Sequence, residues 1–368
     1  MRLTNYWWLL IWMFTGGAAL TVLFPRRKEL VLGKWEERWG ILPAVLLVLP
    51  YIIWAGYRGY IGDTYVYTLS YLKSPTSFGQ IPTYITTIGK DKGFYILTAI
   101  LHCVFGNNTT IYFFAIAAFQ ILIIAMVCRK YTRNYWLSIF IFIASTDYIS
   151  WVMNGMRQFT AVMVIFAATG LIVRKEYLKA AACILLASTF HQSALLMLPI
   201  IFVIQGKPWN KKTLLVLTAS IAALVFAGQF TNVMDSALAN TQYTNVVSDW
   251  KLGNDDGTNP LRILVYAMPT ILALVGRRKI QYESNNLINV CINASIVSTC
   301  LGLIAIGTSG IFIGRLPIYV STMANWILLP WEIDHVFDKS TSKLVLIVAV
   351  ICYSIFFYYQ MHIAWGMI

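Results

Sequence analysis

Apolar residues along this chain come in long blocks, separated by short connections that carry nearly all of the charge. Read with their flanks, the blocks predict helices near 5–24, 40–57, 109–128, 135–151, 156–173, 178–190, 192–205, 212–230, 261–276, 287–306, 316–331 and 344–360. Crossing bilayer hydrocarbon takes about 20 apolar residues in a helix, because every backbone amide must be bonded within its own segment. The expected fold is therefore all-α: a polytopic integral membrane protein of about 12 transmembrane helices, with residues 1–368 forming a single membrane domain.

Two stretches depart from regular spanning. Residues 94–105 are apolar but too short to cross untilted, and predict an interfacial or re-entrant helix on the outer side. In 178–205, His191-Gln192-Ser193 splits an apolar run into two short halves. Broken backbone at membrane depth is tolerated where it lines a wet, protein-walled cavity, so both irregularities point to one cavity opening outward. Longer outer loops are expected near 58–93 and 231–260. Asp255 and Asp256 sit in Asn254-Asp255-Asp256-Gly257, which reads as a solvated turn rather than a metal pair.

Charge fixes the orientation. Most of the 28 basic residues fall in alternate connections: Arg26, Arg27, Lys28, Lys34 and Arg38; Arg129, Lys130 and Arg133; Arg174, Lys175 and Lys179; Lys207, Lys211 and Lys212; Arg277, Arg278 and Lys279; Lys339 and Lys343. By the positive-inside rule these face the cytoplasm, which leaves both termini outside. The net charge of +13 thus reflects membrane orientation, not nucleic-acid binding. Hydrophobic residues make up 58% of the chain and charged ones 12%, about half the charge of an ordinary globular domain. The six cysteines lie in or beside apolar blocks without CxxC spacing, so no metal site or disulfide framework is indicated.

The outer arginines oppose the orientation rule and need a local reason. An Arg at a helix centre costs about 2.5–3.5 kcal/mol on insertion scales, so such residues face a bundle interior or a cavity. Arg157, in Asn154-Gly155-Met156-Arg157-Gln158, begins a span from outside. A cation there opposes the helix dipole, and its anionic partner is Asp147 in the preceding span, a ligand phosphate, or both with the ligand competing for the arginine. Arg315 follows a glycine-rich outer segment and is either a snorkelling interfacial residue or an anion contact. Arg58 and Asp63 share one segment and can pair with each other. His191 lies at the split and is either a hydrogen-bonded structural residue or a proton carrier.

An outward cavity holding Arg58, Asp63, Arg157, His191 and Arg315 suits a diphosphate, because the guanidinium fork matches phosphate oxygens. Asp63 and His191 are the candidate bases for an attacking hydroxyl. Tyr57, Tyr60, Tyr65 and Tyr67 are candidate sugar-stacking residues, although tyrosines also collect at membrane interfaces for no catalytic reason.

At these residues the chain resembles the EpsG family of Wzy-type exopolysaccharide and O-antigen polymerases. The resemblance rests on Arg58…Gly62-Asp63-Thr64…Tyr67, on Met156-Arg157-Gln158-Phe159-Thr160-Ala161, and on Ala187-Ser188-Thr189-Phe190-His191-Gln192-Ser193-Ala194-Leu195. It implies a fold similar to C-superfamily glycosyltransferases and a metal-independent membrane glycosyltransferase with no cofactor. The substrate it implies is an undecaprenyl-diphosphate-linked oligosaccharide, polymerised at the outer face of the bacterial cytoplasmic membrane. Asp63 and His191 would be catalytic, Arg157, Arg315 and Arg58 diphosphate-binding, and Gln158 and Tyr67 substrate-binding. Partners would be the lipid bilayer, a flippase and a chain-length regulator. A ligase-type transferase and a lipid-linked oligosaccharide flippase remain the alternatives.

Overall fold

The computed structural model describes residues 6–31, 34–239, 258–310 and 312–367. The Asp255-Asp256 turn expected above, and part of the 231–260 loop with it, lie outside the described residues. In chain order the helices of the first half are α1 (Trp7–Leu23), α2 (Ile41–Gly56), α3 (Thr64–Leu72), α4 (Ile81–Thr87), α5 (Lys92–Phe105), α6 (Thr109–Tyr131), α7 (Tyr135–Ala144), α8 (Met156–Ala167), α9 (Thr169–Val173) and α10 (Tyr177–Phe190). The remainder are α11 (Met197–Val203), α12 (Lys211–Val225), α13 (Ala227–Leu238), α14 (Pro260–Val275), α15 (Arg277–Glu283), α16 (Asn286–Ile306), α17 (Ile318–Met323), α18 (Leu329–His335) and α19 (Lys339–Tyr358).

Several starts are written in single side chains. Asn108, Asn134, Asn210, Asn259 and Asn285 each accept a backbone N–H in the first turn of α6, α7, α12, α14 and α16. A helix leaves its first N–H groups without internal partners, and an N-cap Asn supplies one.

Helix α6, helix α16 and the helix from Lys339 to Ala364 are long and apolar enough to cross a bilayer. Three further apolar runs are bent pairs, which brings the count to 6 if each pair is one span. One of these, Tyr135–Ala144 with Tyr148–Asn154, turns by 72°, and Pro260–Val275 with Arg277–Glu283 turns by 78°. A single span was expected over 135–151, and there the bend falls inside the span and corrects that reading. Pro260–Val275 follows the expected 261–276, and its bend comes only at the end of that span. At the first bend Thr146 adopts φ +66°, a left-handed conformation costly for a β-branched residue. The Tyr148–Asn154 segment then runs as a π-helix.

The all-α expectation needs one amendment. A two-stranded antiparallel ribbon, β1 (Arg27–Val31) and β2 (Lys34–Arg38), joins α1 to α2. Arg38 is buried there, and its Nη1 donates to the carbonyls of Arg129 (2.7 Å), Lys130 (2.5 Å) and Thr132 (3.1 Å). Those carbonyls end α6, where unpaired acceptors and the negative pole of the helix favour a cation. Arg129 in turn pairs with Glu29. Part of this basic cluster, read from sequence as orienting the chain, therefore stitches the ribbon to a helix end.

The chain folds as two compact units. The first takes the described residues of 1–170, 178–195 and 343–368, and the second those of 171–177 and 196–342.

In the first unit, buried aromatic side chains tie neighbouring helices through their backbone carbonyls. The Tyr51 hydroxyl donates to Leu9 O (2.7 Å), that of Tyr135 to Ala44 O (2.9 Å) and that of Tyr148 to Tyr51 O (2.6 Å). Indole N–H groups do the same from Trp12 to Leu47 O and from Trp136 to Met13 O. Tyr and Trp thereby fill space while their polar atoms find partners. The 58–93 stretch, read from sequence as loop, contains α3 and α4. Its Tyr67 and Tyr71 enter a core with Phe94, Tyr112, Phe113, Ile116 and Met156. The short helices α3 and α5 thus share one core with the long apolar helix α6.

In the second unit, α16 is buried along most of its length. Asn293 Nδ2 donates to the carbonyls of Ile204 (3.0 Å) and Gly206 (3.1 Å), tying α16 to the end of α11.

Candidate active site

The site is assembled on the first unit, where all three sequence motifs meet. The first motif follows α2. Arg58 is buried, with Nε donating to Ala55 O (2.7 Å) and Nη1 to Val152 O (3.1 Å) and Met153 O (3.2 Å). Its guanidinium also lies 4.3 Å from the Phe113 ring centroid, and among the described residues it pairs with no carboxylate. Burial lowers its pKa to about 10, still far above neutral, so the side chain stays charged. The Arg58–Asp63 ion pair weighed from sequence does not form. Arg58 instead clasps the end of α2 to the π-helical segment that leads into α8.

Gly62 and Asp63 dock on Asn154. Gly62 has φ +46°, and a Cβ there would stand 2.1 Å from Asn154 Oδ1, so only glycine fits. The same Asn154 oxygen accepts the Asp63 backbone N–H at 2.9 Å. The Asp63 residue is exposed at the start of α3, and its carboxylate does not cap that helix.

Arg157 follows in the first turn of α8, half-buried. Its Nη1 donates to Asp91 Oδ2 at 3.0 Å, and its guanidinium lies 6.0 Å from the Tyr95 ring. The Tyr67 hydroxyl faces both the backbone N–H and the side chain of Arg157. The acidic partner is thus Asp91, where the sequence offered Asp147 or a ligand; Asp147 is buried and accepts from the Ser145 hydroxyl at 3.0 Å. Gln158, next in the helix, is buried.

The third motif closes on the same carboxylate. Helix α10 ends at Phe190, and Gln192–Leu196 is a 3-10 turn, so the break foreseen at His191 is present. Asp91 Oδ1 accepts the Gln192 backbone N–H at 3.3 Å. Two residues along, a Cβ on Gly93 would stand 2.2 Å from Thr189 Oγ1, so glycine lets α5 approach the end of α10. His191 is half-buried, with Nδ1 2.7 Å from Ser193 Oγ.

Asp91, Asn154 and Tyr95 were missed in the sequence. Asp91 carried a readable signal, being one of only two acidic residues between 58 and 93, on the side where arginines lacked counter-charges. Burial pushes its carboxyl above the ordinary carboxylate value, against the opposing pull of Arg157, the Gln192 N–H and Lys90. Arg315 belongs to the second unit, exposed in the 3-10 turn Ile313–Arg315. Among the described residues no three His, Cys, Asp or Glu side chains group as metal ligands would.

A largely helical chain with several apolar helices able to span a bilayer, and a paired arginine among the motif residues of its first unit, fits a multi-pass membrane protein. More narrowly, the model of the EpsG family matches residues 41–365, nearly the whole chain, and the protein belongs to that family. Membership suggests an exopolysaccharide-related, glycosyltransferase-like polymerase. No curated protein and no solved structure matches the chain.

Proposed function

We propose that the protein is a polysaccharide polymerase. It joins undecaprenyl-diphosphate-linked oligosaccharide repeats at the outer face of the bacterial cytoplasmic membrane, in the making of O-antigen, capsule or exopolysaccharide. The observation that carries this reading is the meeting of three separate motif segments around the Arg157–Asp91 pair. Family membership supplies the reaction class.

In the reaction, a sugar hydroxyl of one lipid-linked repeat attacks the anomeric carbon of the growing chain. The bond from that carbon to the diphosphate oxygen breaks, and its electron pair leaves with undecaprenyl diphosphate. Arg157 stabilises the departing charge; fixed cationic donors aimed at developing charge lower a barrier most in a water-poor site. The hydroxyl proton passes to Asp63 or His191. Asp63 is the better placed of the two, because it is exposed while His191 already holds the Ser193 hydroxyl. Tyr67 and Gln158 flank the arginine and contact the substrate. Arg58 acts through the backbone it holds, setting the segment that carries Asn154 and Arg157.

Arg157→Ala should abolish long-chain polymer while the protein still inserts at its normal level. Full-length polymer from a well-expressed Arg157→Ala strain would remove the reading's main support. Purified protein given lipid-linked repeats alone should build a ladder of products. Transfer only when another acceptor is added would indicate a ligase, and flipping without a ladder a transporter.

A further inference from the structure

The Arg157–Asp91 pair is lopsided. The Asp91 side chain is 2% exposed and the Arg157 side chain 29%, so an anion arriving from solvent reaches the arginine far more readily than its partner. Asp91 is also held from both sides. Oδ2 accepts from Arg157 and Oδ1 from the Gln192 N–H, and its backbone stands at φ +55°. A non-glycine residue persists in that conformation only where its surroundings over-determine it. Here they do: Gly93 is pressed against Thr189 and Phe94 is built into the aromatic core.

The proposed reaction creates a difficulty at Arg157. A sugar-linked diphosphate becomes a free terminal diphosphate on transfer and gains negative charge, so the cation that stabilises its departure also retains it. We propose, resting on the diphosphate reading above, that Asp91 is an internal counter-anion that competes with the spent diphosphate for Arg157. It is a positioning residue. In the empty site it neutralises Arg157 and fixes the guanidinium. When substrate binds, the diphosphate shares the cation from the exposed side. After transfer, the recaptured ion pair favours release of undecaprenyl diphosphate and readies the site for the next repeat.

Asp91→Asn is the informative variant. Asn keeps an oxygen for the Gln192 N–H and tolerates a left-handed backbone better than most residues, but it removes the competing charge. Asp91→Gly, which suits φ +55° outright, serves as a second variant should the first fold poorly. Binding of inorganic pyrophosphate would be measured on the purified full chain in lipid nanodiscs, with turnover measured alongside on lipid-linked repeats. Asp91→Asn should bind pyrophosphate about tenfold more tightly than wild type, within the usual range for a coupling between two sites. Its KM for the repeat and its kcat should fall together. A role confined to holding the fold would instead weaken binding, and unchanged or weaker pyrophosphate binding in both variants would overturn the proposal. Arg157→Gln separates the two layers. If it binds pyrophosphate as wild type does, the diphosphate reading of Arg157 is itself wrong. If it loses binding while Asp91→Asn gains none, only the competition is wrong.

Discussion

At the residue scale, Asp91 shows that an ion pair need not be a net source of stability. Its carboxyl has Arg157 at 3.0 Å, yet burial outweighs that attraction and holds the proton on more firmly than in a free chain. Desolvation of a buried charge commonly exceeds what one partner returns. The pH dependence follows in sign. Since the folded state binds this proton more readily than the unfolded state, the contribution is most favourable in acid and declines as pH rises through the raised value. Wild-type melting temperature should therefore fall relative to Asp91→Asn as pH climbs just above the ordinary carboxylate range. Parallel pH profiles for the two proteins would show that Arg157, Lys90 and the Gln192 N–H fully offset the burial.

The two candidate bases separate at the same scale. General-base catalysis is typically worth 10²- to 10⁴-fold, so Asp63→Asn should lower kcat by about 10² or more with little change in KM. His191→Gln should act more weakly if that ring mainly orders the Ser193 turn. The reverse order in single-turnover assays would move the base to His191.

At the element scale, the site depends on close approaches between segments far apart in sequence. Gly62 stands at φ +46° against Asn154, whereas a Cβ on nearby Gly59 would meet nothing within 4 Å. Gly62→Ala should destabilise the protein by about 1–3 kcal/mol, as overpacking with backbone strain does, and Gly59→Ala should be close to neutral. Thermal unfolding of both variants in detergent checks the contrast, and equal losses would mean that the α2–α3 connection is not docked as described. Helix breaks differ in how openly the sequence announces them. The one at His191-Gln192-Ser193 interrupts an apolar run with three polar side chains and was legible. The one at Thr146 lies in Ser145-Thr146-Asp147, where the polar residues are buried and the chain turns through a left-handed Thr. No local preference predicts that conformation, because β-branched residues avoid it. The surrounding helices impose it.

At the scale of the whole molecule, orientation rests on the basic clusters alone and can be tested independently of chemistry. In a cysteine-free background, Lys73→Cys should react with a membrane-impermeant thiol reagent in intact cells. Lys28→Cys should react only after permeabilisation. Both lysines are exposed, so access rather than burial decides the outcome, and the opposite pattern would invert the topology.

The amino-acid sequence alone determined the membrane class, the apolar helices, several helix starts and the three motif segments. Each is a local property: hydropathy must match the solvent along every stretch, and an Asn cap needs only the next turn. It also marked Arg157 as a cation in want of an anion. Only the tertiary structure decided that the anion is Asp91, that Arg58 grips carbonyls instead of a carboxylate, and that the 58–93 stretch folds into helices over an aromatic core. Such choices come from which backbones lie within reach of one another. A pairing between residues 91, 157 and 192 is invisible until packing brings their segments to hydrogen-bonding distance.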